Sequence, residues 1–155
     1  METGRSGGRG FTLIELLVVI AIIGLLSTLS IVALNQARAR SRDARRLADV
    51  KQIQTALEMY YNDQGSYPAS TTPGAQIASG TTVYMDIVPK PPTPADGAAC
   101  GVDPAKGYTY TAREINGITN GSYTLQYCLG AVTGGVKAGQ RIATPSGIAE
   151  SGQVQ

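Results

Sequence analysis

The sequence predicts an α+β fold in which one long N-terminal helix, hydrophobic and then amphipathic, packs on a small antiparallel β-sheet. Three observations carry this expectation. Residues 11–34 form a run of 24 residues in which Glu15 is the only charge and no proline occurs. Behind it, Leu47, Val50, Ile53, Leu57 and Tyr60 or Tyr61 recur at three- and four-residue steps, the spacing of a single helix face. Later the period falls to two: Tyr123, Leu125, Tyr127 and Leu129 alternate with Thr124, Gln126 and Cys128, as in a half-buried strand.

The apolar run comes first. At about 1.5 Å rise per residue it is about 36 Å long as a helix, enough to cross a hydrocarbon core of about 30 Å. A carboxylate in mid-bilayer costs on the order of 2.5–3.5 kcal/mol on insertion scales, so Glu15 needs a partner or a special position. Two compatible readings supply one. Thr12-Leu13-Ile14-Glu15 fits the capping box, in which Thr12 caps the helix and Glu15 satisfies a donor at its start. Alternatively, Glu15 meets an opposite charge, since a buried charge is tolerated mainly when paired. Ahead of the run, residues 1–10 are short, glycine-rich and basic through Arg5 and Arg9.

Beyond the run the helical pattern continues, with Arg45, Arg46, Asp49, Lys51, Gln52 and Glu58 expected on the solvent side. Reading from Thr12 to about Tyr61 gives some 50 residues, roughly 75 Å of helix, which Gly65 and Pro68 end. Such a length implies that half the helix packs on something outside the chain. Gly24 is the flexible point of the apolar half, where helix propensity drops by about 1 kcal/mol relative to alanine; it equally allows close helix contact. Residues 69–82 and 89–101 read as surface loops around a short ordered piece, 83–88. Residues 107–113 alternate Tyr108, Tyr110 and Ala112 against Thr109, Thr111 and Arg113, and Asn116-Gly117 and Asn120-Gly121 mark the hairpin turn before residues 122–129. A third strand is expected at 140–144, after Gly134-Gly135. The sheet's tyrosine-and-leucine face then lies against the helix.

Composition excludes much else. A chain of 155 residues with zero His, zero Trp and 2 Cys lacks the side chains of most metal and catalytic constellations, so neither an enzyme nor a cofactor is expected. A net charge of +2 names neither nucleic acid nor an acidic partner. The arginines 38, 40, 42, 45 and 46 could meet DNA or anionic lipid, but a solvated collar or an intersubunit charge layer, offset in part by Asp43 and Asp49, is the plainer reading. The eight tyrosines are expected to build the core.

The basic stretch ending in Gly10, followed by Phe11-Thr12-Leu13-Ile14-Glu15-Leu16-Leu17, resembles the class III signal of type IV prepilins and type II secretion pseudopilins. The resemblance implies a leader, residues 1–10, cut after Gly10 by a membrane-embedded prepilin peptidase. It also implies N-methylation of Phe11 and pairing of Glu15 with the Phe11 amino group of a neighbouring subunit. Pilins often carry a proline about eight residues after the glycine matched by Gly24; this chain has Val32 there. Residues 46–68, closing on Asp63-Gln64-Gly65-Ser66-Tyr67-Pro68, resemble the second half of the helix of major pseudopilins, and Tyr67 is expected to pack back on it. Asp103-Pro104-Ala105-Lys106-Gly107-Tyr108 departs from the related pseudopilin segment, and the C-terminal stretch offers only Glu150 as an acid. A plain turn into a strand is therefore expected there, with no calcium cage.

The division that follows is a leader at 1–10, a transmembrane or filament-core half-helix at 11–34, an amphipathic half at 35–64, and a loop-and-sheet region at 65–155. A conventional secretory signal fits less well, since the apolar stretch is too long and Ala37-Arg38-Ala39 is a poor cleavage site. The arginine flanks alone would put the C-terminal part in the cytoplasm. The leader resemblance overrules them and puts it outside. The expected function is a structural subunit of a type IV pilus-like filament, with the membrane, the peptidase, an assembly platform and further copies of itself as partners. The alternatives are a pseudopilin of a type II secretion system and a single-pass membrane-anchored binding module that never polymerises. A disulfide between Cys100 and Cys128 is expected because these are the only two cysteines and both lie downstream of the span. Cys128 points away from the tyrosine face, and Cys100 sits in a loop able to fold over that side; two reduced thiols are the alternative.

Overall fold

The computed structural model describes residues 10–94 and 107–150. Residues 1–9 of the expected leader, Cys100 and residues 103–106 lie outside them. The chain forms two compact units, Met1–Ala37 and Arg38–Gln155, and helix α1 (Leu13–Gln64) supplies the described helix of the first and opens the second.

In the first unit the apolar residues are exposed all round the helix, Phe11 at 81% and Leu13 at 82%. The segment is long and apolar enough to cross a membrane. Its hydroxyl groups are satisfied without leaving the helix: Ser27 donates to the Ile23 carbonyl at 2.7 Å, Thr28 to Leu25 at 2.8 Å and Ser30 to Leu26 at 2.8 Å. Such back-bonding removes the cost of exposing an unpaired hydroxyl to hydrocarbon. The helix runs unbroken through Gly24, where an added Cβ would meet nothing within 4 Å.

The second unit is an α+β layer. Val50, Ile53 and Leu57 are fully buried and, with Ala56, form one stripe of α1 in the core. Against them stand Tyr123, Leu125, Tyr127 and Leu129, the inward positions of β4 (Ile118–Leu129), as the period of two requires. The sheet is antiparallel in the order β3-β4-β5-β6, with β3 at Thr109–Ile115, β5 at Gly139–Thr144 and β6 at Gly147–Glu150. Its register pairs Tyr110 with Leu125 and Leu125 with Ala143. The helix ends as expected: Gly65 has φ 69° and its N–H reaches the Tyr61 carbonyl at 2.8 Å. Tyr67 then folds back, its ring 4.7 Å from that of Tyr61 and its hydroxyl 3.1 Å from Glu58.

Four particulars differ from the sequence reading. The supposed loop at 69–82 contains β1 (Ile77–Ser79), which pairs with β2 (Thr82–Met85), and Ile77 and Val88 are buried in the core. Strand β6 adds a fourth member to the main sheet. The hairpin turn is Asn116-Gly117 alone, with φ 52° and 75°, the two positive angles a two-residue turn matching strand twist needs. Asn120-Gly121 instead lies inside β4, where the register shifts and Asn120 has φ 55°. The irregularity has a use: the Asn120 carbonyl accepts the Tyr67 N–H at 2.8 Å. Finally, Arg46 and Asp49, expected on the solvent side, are buried.

Candidate functional site

At the start of α1, Gly10, Phe11 and Thr12 precede the first helical residue, Leu13. The capping box is formed. The Thr12 N–H donates to Glu15 Oε2 at 2.8 Å and the Thr12 hydroxyl to the same oxygen at 2.6 Å. In return the Glu15 N–H donates to Thr12 Oγ1 at 3.3 Å. Both bonds to the carboxylate fall on Oε2, and among the described residues no donor reaches Oε1. Capping therefore does not use up the carboxylate, and the local role and a pairing role are geometrically compatible. Phe11 is exposed beside it, and at Gly10 an added Cβ would meet nothing within 4 Å. The glycine is thus not demanded by packing.

A second polar constellation, in the Arg38–Gln155 unit, escaped the sequence reading. Asp43 is fully buried; its carboxylate accepts from Arg46 Nη1 at 2.7 Å, the Gly130 N–H at 3.0 Å and the Ala131 N–H at 2.9 Å. Arg46 Nη2 in turn donates to the carbonyls of Pro92 and Pro94, both at 3.0 Å. One ion pair thus ties α1 to the proline-rich loop and to the chain just past β4. One turn on, buried Asp49 accepts the Tyr108 hydroxyl at 2.8 Å. The available signal was that 43, 46, 50, 53 and 57 share one helical stripe, so the core face extends upstream of Leu47.

The tyrosines are structural. The Tyr123 ring lies 4.8 Å from that of Tyr67 and 5.8 Å from that of Tyr110, edge-on to the first and stacked with the second. Burial pushes the Tyr123 and Tyr127 hydroxyls up to about 12, and burial followed by the Asp49 carboxylate pushes Tyr108 higher still. All three stay neutral at physiological pH.

Cys128 lies on the less buried side of β4, as its alternation with Tyr127 and Leu129 demands, and it is not a free thiol. Cys100 is outside the described residues, so the bridge between them is carried as a proposal. Closing a loop of roughly 28 residues contributes about 3–4 kcal/mol in the chain-entropy model. Thiol labelling of unfolded, unreduced protein is expected to find no free cysteine. Two labelled thiols would remove the bridge and, with it, one support for a domain outside the cytoplasm.

Taken together, a membrane-length apolar helix opened by one capped carboxylate and continued into a small tyrosine-rich sheet is the build of a pilin-like subunit. Comparison with known proteins agrees. Residues 5–31 match the family described as the prokaryotic N-terminal methylation motif. The chain is 34% identical over 97 residues to the type II secretion system core protein G of Pectobacterium carotovorum subsp. carotovorum, covering 61% of this chain and 60% of that protein. It is 35% identical over 75 residues to a fimbrial protein of Neisseria meningitidis, covering 48% and 44%. It is 37% identical over 59 residues to the type IV major pilin protein PilA of Myxococcus xanthus, covering 38% and 27%. In these matches the chain spans at most 60% of the relative's length. No solved structure matches the chain. The chain thus carries the prokaryotic N-terminal methylation motif and is similar to type IV pilins and to the core protein G of type II secretion systems.

Proposed function

We propose that the chain is a structural subunit of a type IV pilus-like filament. It is stored in the cytoplasmic membrane through residues 11–34 with the sheet unit outside the cytoplasm. A prepilin peptidase removes residues 1–10, Phe11 is methylated, and the subunit polymerises through its helix on an assembly platform. The observation that carries this reading is Glu15: a capped carboxylate with one open oxygen at the head of a helix that is apolar in every direction. The new amino group at Phe11 would be the cation that such a buried assembly requires.

A pseudopilus is the second reading. It is supported by the match to a type II secretion core protein G, which runs over 97 residues. The same helix chemistry serves both.

Mass spectrometry of sheared surface material tests the shared part. Polymer whose first residue is Phe11 with one added methyl is expected. Polymer retaining Met1, or no polymer under conditions that assemble the rest of the machinery, would overturn it in favour of a non-polymerising membrane anchor. Gly10→Ala should still be processed in part, because the peptidase needs a small residue there, whereas the bulky, charged Gly10→Glu should block cleavage.

A further inference from the structure

We propose that Arg38, Arg40 and Arg45 form a collar that binds the phosphates of anionic phospholipids in the leaflet where the apolar span ends. This rests on the membrane-stored state proposed above and adds to it a lipid class and the residues that select it.

The first support is what the structure does with the nearby acids. By sequence, Asp43 and Asp49 offset part of the arginine charge. In the structure both turn inward: Asp43 to Arg46 and the Gly130 and Ala131 amides, Asp49 to the Tyr108 hydroxyl. Arg38, Arg40 and Arg45 are exposed, and among the described residues none of them has a salt-bridge partner. The segment therefore presents positive charge that its own carboxylates do not neutralise.

The second support is distribution. At about 100° per residue, Arg45 returns to within about 20° of Arg38, while Arg40 projects about 160° away from it. A DNA groove or one acidic face of a protein would be met by a stripe. Charges on opposite sides of a rod suit a layer that surrounds it. Depth agrees: Arg38 follows Leu34 by about one turn, and the three residues span about 10 Å of helix, against a headgroup layer of about 5–8 Å on each side of the hydrocarbon. Arginine stems can adjust that difference by snorkelling. The planar guanidinium also matches a phosphate with two parallel hydrogen bonds, which a point charge does not.

The test uses the full chain reconstituted in phosphatidylcholine bilayers doped with either spin-labelled phosphatidylglycerol or spin-labelled phosphatidylcholine. The readout is the fraction of each label immobilised at the protein boundary. A severalfold preference for phosphatidylglycerol is expected, falling as salt is raised and absent in the triple variant Arg38→Gln/Arg40→Gln/Arg45→Gln. The corresponding triple lysine variant should keep charge attraction but hold less lipid. Equal immobilisation of both labels by the unaltered chain would overturn the collar. So would a preference that survives in the glutamine variant, or a glutamine variant that fails only to form filaments, which would make the arginines an intersubunit layer. Failure of the membrane-stored reading looks different: neither label would be immobilised at all.

Discussion

Glu15→Leu is expected to insert into the membrane and lose its leader as the native chain does, and to lower the yield of filament at least tenfold. Leucine removes the cost of a carboxylate in hydrocarbon, so insertion is equal or better. What it takes away is the anion that would meet the Phe11 amino group of the next subunit. Removing one member of a buried pair costs about 3–5 kcal/mol, and about 1.4 kcal/mol is a factor of ten. Glu15→Gln separates the two roles of the residue, because its side-chain carbonyl still accepts from Thr12 and keeps the capping box. If that variant assembles normally in sheared fractions, the charge is dispensable and Glu15 is a helix cap. If it fails like Glu15→Leu, the charge itself is required.

For Asp43→Ala the expected result is a loss of about 3–5 kcal/mol in the Arg38–Gln155 unit. The variant takes the Asp43 carboxylate away from buried Arg46 and from the Gly130 and Ala131 amides. In a domain of this size that lowers the melting temperature by about 10 °C or more. Near-ultraviolet circular dichroism of the full chain is the suitable probe, since all eight tyrosines lie in this unit while the apolar helix contributes none. A shift of only a degree or two would mean that water replaces the carboxylate at little cost. Asp43→Asn should fall between, because its amide oxygen can still accept a backbone N–H while its NH2 group faces donors.

What was legible in the sequence follows from how far apart the interacting residues lie. Helix α1, its Thr12-Glu15 cap and its Gly65 terminus are local, written in patterns three to four residues wide, and each is found where expected. The inward set of β4 could be read because twelve residues give the period of two room to repeat. Strands β1 and β6 have three and four residues and could not show a period. They are strands because of what they pair with. Asp43 was illegible for a related reason: its amide donors stand 87 and 88 positions away in the chain and belong to the backbone, so no side chain announces them. An Asp and an Arg three apart on a helix look the same whether they face water or the core.

The hydroxyls of Ser27, Thr28 and Ser30, each turned back on its own helix, have a consequence for how copies could assemble. From Leu16 to Leu34 such a rod turns no hydroxyl proton outward and is smooth: a neighbour can slide along that stretch or roll around it without breaking a directional bond. Dispersion forces would hold such rods side by side without choosing an offset. Within that stretch the offset is left to the polar groups at its ends, the carboxylate near the tip acting as a detent on an otherwise frictionless shaft.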